Sequence, residues 1–182
     1  MSRSADVAVL ELDARGLAAR REGVLALLAE AVADNHSLGF LEPLDPSWAE
    51  PWLDGCVADI TAGRRHAWIA ERAGRVIGMG QLELATKQNA AHRGEVQKLV
   101  VAREAQGTGV GRALMAAIEA RARALGRFLL VLDTDDGSPA VGFYQRLGWR
   151  SVGVVPAYAR RPDGRLWGTH LFYRDLRETG DG

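Results

Sequence analysis

Cysteine is almost missing from this chain of 182 residues, where Cys56 stands alone. A single thiol cannot close an internal disulfide, so a reducing compartment is expected. No Cys/His spacing resembles a zinc site, so a mechanism without metal is expected as well. A surplus of one charge is also missing. Lys and Arg total 23 against 23 for Asp and Glu, with a sequence pI near 6.9, which leaves no bulk attraction to nucleic acid or an anionic membrane. Long apolar runs are missing too: none approaches the ~20 apolar residues of a membrane span, and the start carries no continuous apolar leader. These absences predict a soluble, cytoplasmic protein with neither nucleic acid nor membrane as partner. No linker, internal repeat or low-complexity tract interrupts the sequence, and its length suits one domain over residues 1–182.

What is present alternates between strand and helix patterns. A strand is expected over Val7 to Leu12, then a helix from about Ala14 to Asn35 with Asp13 as cap and Leu17, Val24, Leu27, Leu28, Ala31 and Val32 at helical spacing. Turn residues from Leu38 to Pro46 end it, and Asp45-Pro46-Ser47 supplies capping and start residues for a helix to about Ala62. Strands are expected at Ala67 to Glu71 and Val76 to Ala85, joined by a hairpin at Ala73-Gly74-Arg75, and again at Gly94 to Val101. A helix follows from Val110 to Leu125, with Val110, Leu114, Ile118, Ala122 and Leu125 on one face. Phe128 to Leu132 reads as a strand buried on both faces. Ser138-Pro139 opens a helix ending at Gly148, and strands at Ser151 to Val155 and Gly168 to Asp175 close the chain.

The segment Gln106-Gly107-Thr108-Gly109-Val110-Gly111-Arg112 lies between an apolar strand and an amphipathic helix. Glycines remove the Cβ atoms that hold a phosphate away, so backbone N–H groups can converge on it at the positive end of the helix. The same glycines also fit a tight turn that binds nothing. A P-loop requires Lys-Ser or Lys-Thr after its last glycine, and Arg112-Ala113 stands there. A dinucleotide fingerprint requires glycine at Arg112 or Leu114. Asp133 nevertheless sits about 20 residues on, where a ribose-binding acid belongs, so a Rossmann-type NAD(P) oxidoreductase stays open as an alternative.

The spacing Gln106, Gly109, Gly111 resembles the acetyl-CoA signature of the GCN5-related N-acetyltransferase (GNAT) superfamily. Downstream, Ala140-Val141-Gly142-Phe143-Tyr144-Gln145-Arg146-Leu147-Gly148-Trp149 resembles that family's second signature. The two cover roughly residues 95 to 150, in the family's order. His36 to Leu41, Glu95 to Lys98, Leu132 to Thr134 and Pro162 to Leu166 further resemble the tabtoxin-resistance type of acetyltransferase. The resemblance implies an α/β (α+β) fold: a mixed, mostly antiparallel central sheet flanked by helices, splayed between the strand of Val96 to Val101 and that of Phe128 to Leu132. Acetyl-CoA would enter the gap, where unpaired backbone groups can bond its pantetheine arm as if it were another strand.

Acetyl transfer to an amine makes four demands. Phosphate binding falls to Gln106, Gly107, Thr108, Gly109, Val110, Gly111 and Arg112, through backbone donors helped by the side chains of Gln106 or Arg112. Polarising the thioester carbonyl falls, by the resemblance, to backbone N–H groups at Leu99, Val100 and Val101. The nucleophile must be neutral, and a lysine-like amine at pH 7 is neutral in about one part in 2500, a shortfall of roughly 4.6 kcal/mol. Glu95, directly or through water, is the first candidate base and Asp133 the second; a solvated acid and a turn cap are their ordinary alternatives. His92 is a further candidate because an imidazole can take a proton near neutral pH, with an uninvolved loop residue as its ordinary alternative. Stabilising the departing sulfur falls, by the resemblance, to Tyr144, with a packed aromatic as its ordinary alternative. A phenol of pKa ~10 protonating the thiolate of a thiol of pKa ~8.5 works uphill by about 2 kcal/mol, so Tyr144 is cast as a hydrogen-bond donor. The family often has Asn seven residues before this tyrosine; here Gly137 stands there, with Ser138 beside it.

The acceptor pocket is expected outside the cofactor motifs, near His36, Ser37, Glu42, Trp48 and Trp52 and near Tyr158, Arg160 and Arg161. The acceptor is expected to be a small-molecule amine, toxins and antibiotics included, acetylated directly in a ternary complex by a monomer or homodimer. Cys56 lies far from the motifs and gives no support to an acyl-cysteine route. A CoA-sensing or regulatory module without turnover is the alternative from another class.

Overall fold

The computed structural model describes residues 7–177. In chain order the elements are β1 (Ala8–Leu12), α1 (Ala14–Ala19), α2 (Arg21–Ala33), α3 (Pro46–Thr61), β2 (Arg65–Arg72), β3 (Arg75–Leu84), β4 (Arg93–Val101), α4 (Val110–Ala124), β5 (Leu129–Asp135), α5 (Pro139–Arg146), β6 (Arg150–Arg160) and β7 (Leu166–Asp175). One seven-stranded sheet runs β1-β2-β3-β4-β5-β7-β6. All neighbours are antiparallel except β4 and β5. That arrangement removes the Rossmann alternative, whose doubly wound sheet is built of successive parallel strands.

Local chemistry explains the boundaries. Asp13 caps α1 by accepting from the Gly16 N–H at 2.7 Å, and Asp45 caps α3 by accepting from the Ser47 N–H at 2.8 Å. Between β2 and β3 both turn residues are left-handed, Ala73 at φ 50° and Gly74 at φ 78°, as a two-residue hairpin matched to strand twist requires. On one sheet face α4 buries Val110, Leu114, Ile118 and Ala122. Gly78 and Gly80 let it approach: a Cβ at Gly80 would lie 2.9 Å from Ile118 Cδ1.

Four expectations need correction. The helix from Ala14 to Asn35 is two helices, broken at Arg20 (φ −107°, ψ 14°), whose guanidinium bonds Glu71 on β2 at 3.0 Å. Leu17 and Val24 lie two turns apart, a stripe that one helix or two would equally bury. Strand β5 begins at Leu129 and continues to Asp135, placing Asp133 inside it, and only Leu130 and Leu132 are fully buried. Strand β6 extends to Arg160 through irregular register near Val155 to Ala159, with Ala157 at φ 51°. Its long exposed course carries no alternation to read, and as an edge strand it tolerates Pro156. Strand β7 starts at Leu166, two residues before the expected Gly168.

Candidate active site

The site grows from the one parallel pair. β4 and β5 are in register only at Arg93 with Leu129, Gly94 with Leu130 and Glu95 with Val131. Beyond Glu95 the strands part, so the sheet opens into a wedge edged by Val96 to Val101 on one side and Leu132 to Asp135 on the other. The expected splay is therefore present, with Glu95 at its apex. Along the other edge of β4, Met79 faces Val100 and Gln81 faces Gln97. Lys98 and Leu99 together oppose Gly80, which is a β-bulge with Lys98 at φ 51°. Leu99 thus sits where the bulge turns its backbone out of the regular ladder.

At the far end of β4 the glycine loop leads into α4. Gly107 (φ 75°) and Gly109 (φ 94°) are left-handed, and a Cβ on either would meet no protein atom within 4 Å. The first intrahelical bond runs from the Ala113 N–H to the Gly109 carbonyl, and no side chain caps this end. The N–H groups of Val110, Gly111 and Arg112 precede that bond and have no carbonyl in their own helix. Open space, amides without a carbonyl partner in their own helix and a positive helix end fit a pyrophosphate. Two side chains of the loop hold the loop itself: Gln106 Nε2 donates to the Val101 carbonyl at 3.2 Å, and Thr108 Oγ1 to the Ala105 carbonyl at 2.7 Å. Arg112 is exposed. A Cβ at Gly111 would lie 3.4 Å from Phe143 Cζ and 3.6 Å from Val101 Cγ2, so loop, β4 end and α5 converge.

Tyr144 on α5 is 6% exposed, packed edge-on against Phe143 and Trp149 and tilted on Phe172. Burial, with the charge of Asp133 adding to it, pushes its phenol well above the ordinary value. It stays a neutral donor. Ser138 Oγ, at the start of α5 beside Gly137, is buried without a hydrogen-bond partner among the described residues. A free polar atom therefore stands next to the position where the family often has asparagine.

The two candidate bases differ. Glu95 is half-buried and accepts from Gln97 Nε2 at 2.9 Å. Asp133 is exposed and accepts from Thr169 Oγ1 at 2.7 Å. His92 is not in the wedge: it precedes β4 at the closed end and stacks on Phe128 at 5.0 Å.

Sequence reading missed what holds Glu95. Arg65, 8% exposed, donates from Nη1 to Gln81 Oε1 at 2.7 Å and Gln97 Oε1 at 2.9 Å, and from Nη2 to Glu83 Oε2 at 2.6 Å. Its Nε lies 3.5 Å from Asp59. Gln97 thus sits between a buried, paired guanidinium and the Glu95 carboxylate, fixing the direction of the latter. One signal was available: Gln81 and Glu83, like Glu95 and Gln97, put polar residues on alternate positions of otherwise apolar strands.

The candidate acceptor segments meet on this same face. Glu42 N–H donates to the Pro162 carbonyl at 3.0 Å, and Asn35 and Asp163 exchange side-chain and backbone bonds at 3.3 and 3.2 Å. The loop after α2 and the loop between β6 and β7 therefore form one wall. Phe40 and Trp52 pack edge to face at 5.6 Å, and Arg161 bonds Asp135 at 3.0 Å while covering the Trp167 ring. Trp48, at 74% exposed, and Tyr158, at 56%, stand outside it.

A helix-flanked open sheet, split beside a glycine cradle, is the fold of GNAT acetyltransferases. The profile of the Acetyltransferase (GNAT) family matches residues 19–149. The chain belongs to that family, whose members use acetyl-CoA. It is 35% identical over 145 residues to the mycothiol acetyltransferase of Thermobispora bispora, across 76% of this chain and 46% of that protein. It therefore spans about half the length of that relative. It is 28% identical to the L-methionine sulfoximine/L-methionine sulfone acetyltransferase of Pseudomonas paraeruginosa, across 76% and 80% of the two chains. Among solved structures, a Salmonella typhimurium protein with its cofactor acetyl-CoA matches at TM-score 0.73 and 18% identity, over 96% of each chain. No helix among the described residues is long and apolar enough to cross a membrane.

Proposed function

We propose that the chain is an acetyl-CoA-dependent N-acetyltransferase for a small-molecule amine, working in the cytoplasm as a monomer or homodimer by direct transfer in a ternary complex. Amine-bearing toxins and antibiotics fall within that acceptor class, and two relatives named for small-molecule acceptors support it. The observation that carries the reading is the wedge, which has an oriented carboxylate at its apex and an anion cradle at its mouth.

The roles follow from position. Backbone amides of Gly107 and Gly109 to Arg112 hold the pyrophosphate, and Ser138 adds a hydroxyl nearby. Leu99, Val100 and Val101 present backbone to the acyl arm and its carbonyl. Glu95 takes a proton from the acceptor ammonium, directly or through water, so that the nitrogen lone pair can attack. The N–C bond forms as the C–S bond breaks, the electron pair leaves on sulfur, and the acylated nitrogen sheds its remaining extra proton to solvent. Tyr144 donates a hydrogen bond to that developing thiolate; its raised pKa makes full proton transfer from the phenol costly, so solvent completes protonation. Asp133 contributes its negative field to both sides of the wedge, while its carboxylate is engaged by Thr169.

Thiol release from acetyl-CoA, followed with a panel of primary amines, tests this. Amine-dependent release with an acetylated product seen by mass spectrometry is the expected result. Tight acetyl-CoA binding with no release across the panel would favour a sensing module instead.

A further inference from the structure

Lys98 is a cation with no counter-ion among the described residues, on the strand that edges the wedge. It occupies the left-handed position of the β4 bulge, a backbone conformation that costs a non-glycine residue of order 1–2 kcal/mol and is held by its surroundings. Its side chain points to the α3 face, with Nζ 5.8 Å from the Phe40 ring centroid and 5.6 Å from that of Trp52. No carboxylate among the described residues lies within 4 Å of that nitrogen. Burial lowers its pKa from the ordinary lysine value; Cys56, Asp133 and Glu95 act against that only at longer range, and Arg65 acts with it. Each neighbouring acid is already engaged: Asp59 and Glu83 by Arg65, Glu95 by Gln97, Asp133 by Thr169.

Resting on the acetyltransferase reading, we propose that Lys98 anchors a carboxylate on the acceptor, so that the substrate class is small amino carboxylates rather than plain amines. Three residues along an extended strand separate Lys98 from Glu95, at most about 10 Å. A molecule the size of an amino acid can therefore place its carboxylate on the ammonium and its amine at the apex of the wedge. Phe40 and Trp52 offer apolar surface to the carbon skeleton between them. An arriving carboxylate supplies the charge that the half-buried ammonium lacks, in a setting where charge-assisted bonds are the strong ones.

The experiment compares L-amino acids with their carboxamides as acceptors, in wild type, Lys98→Met and Lys98→Arg. The amide's amine is the less basic, so the acid-to-amide ratio of kcat/KM is compared between proteins, where that difference cancels. Expected is a ratio that falls about 10- to 100-fold in Lys98→Met, through KM, and partly recovers in Lys98→Arg. A purely structural lysine, clamping Phe40 and Trp52, would lower both acceptors alike, and that result overturns the proposal. Independently, amine labelling of the wild-type protein read by mass spectrometry should show Lys98 protected by the acids and not by the amides. Equal labelling in both also overturns it. Transfer to amides and plain amines but not to acids removes the anchor and leaves the acetyltransferase reading intact. If no amine releases thiol, that reading has failed by itself, and protection of Lys98 still decides the anchor.

Discussion

The two sides of the wedge are lined by different means. On the α4 side main chain lines it: left-handed glycines, three helix-start amides and the bulged edge of β4. On the α3 side, side chains line it, with Glu95 and Lys98 in front and Arg65, Gln81 and Gln97 behind. Main-chain donors are the same in every sequence, so the first side tolerates substitution except where a Cβ intrudes, and it suits a ligand that does not vary. The second side depends on each residue's identity, so it is the place where chains of one fold can diverge in acceptor.

The sharpest way to break this contrast is to put a side chain where main chain should be. Gly109→Glu strains a φ of 94° and sets a carboxylate in the cradle. Acetyl-CoA affinity is expected to fall by at least about 100-fold, the equivalent of one or two charge-assisted bonds; calorimetry showing unchanged affinity would remove the cradle from the site. Glu95→Gln comes next. Losing a positioned base is expected to lower kcat/KM by about 10² to 10⁴ while acetyl-CoA binding holds, measured by initial rates and calorimetry; an unchanged kcat/KM removes Glu95 as the base. Tyr144→Phe is expected to lower kcat by about 10² with little change in either KM. Because the phenol is held above its ordinary pKa, it is neutral throughout the working range, so the shape of the pH profile should survive; an unaffected rate rejects the donor role. Smallest is Asp163→Ala, which unties the two acceptor loops. It should raise KM for the acceptor severalfold and leave acetyl-CoA affinity alone, measured by paired saturation curves.

The same contrast explains what could be read in advance. Gln106 to Arg112 and Ala140 to Trp149 are contiguous, and each lies within one strand-to-helix turn or one helix, so the open glycine loop and the helix carrying Tyr144 were legible. Arg65, Gln81, Gln97 and Thr169 come from four strands, β2, β3, β4 and β7, and only strand pairing joins them. Their hydrogen bonds have no local signature. Lys98 was visible as one residue of a familiar-looking run but not as a site, because its direction is set by a bulge. The break at Arg20 and the length of β6 escaped for a related reason. The first lies inside an uninterrupted apolar period, and the second is an exposed edge that needs no period at all.

The surplus residue in β4 divides the strand into two phases. Glu95 and Gln97 look one way, yet Leu99 and Val101, at positions of the same parity, look the other. Straightening that irregularity at full length would turn half the strand over, sending Leu99 and Val101 to the α3 side and away from helix α4, whereas deleting the extra residue would keep their faces and remove only the bulge. Either half of β4 can therefore be respelled by point substitution, while the extra residue between them sets which face each half serves.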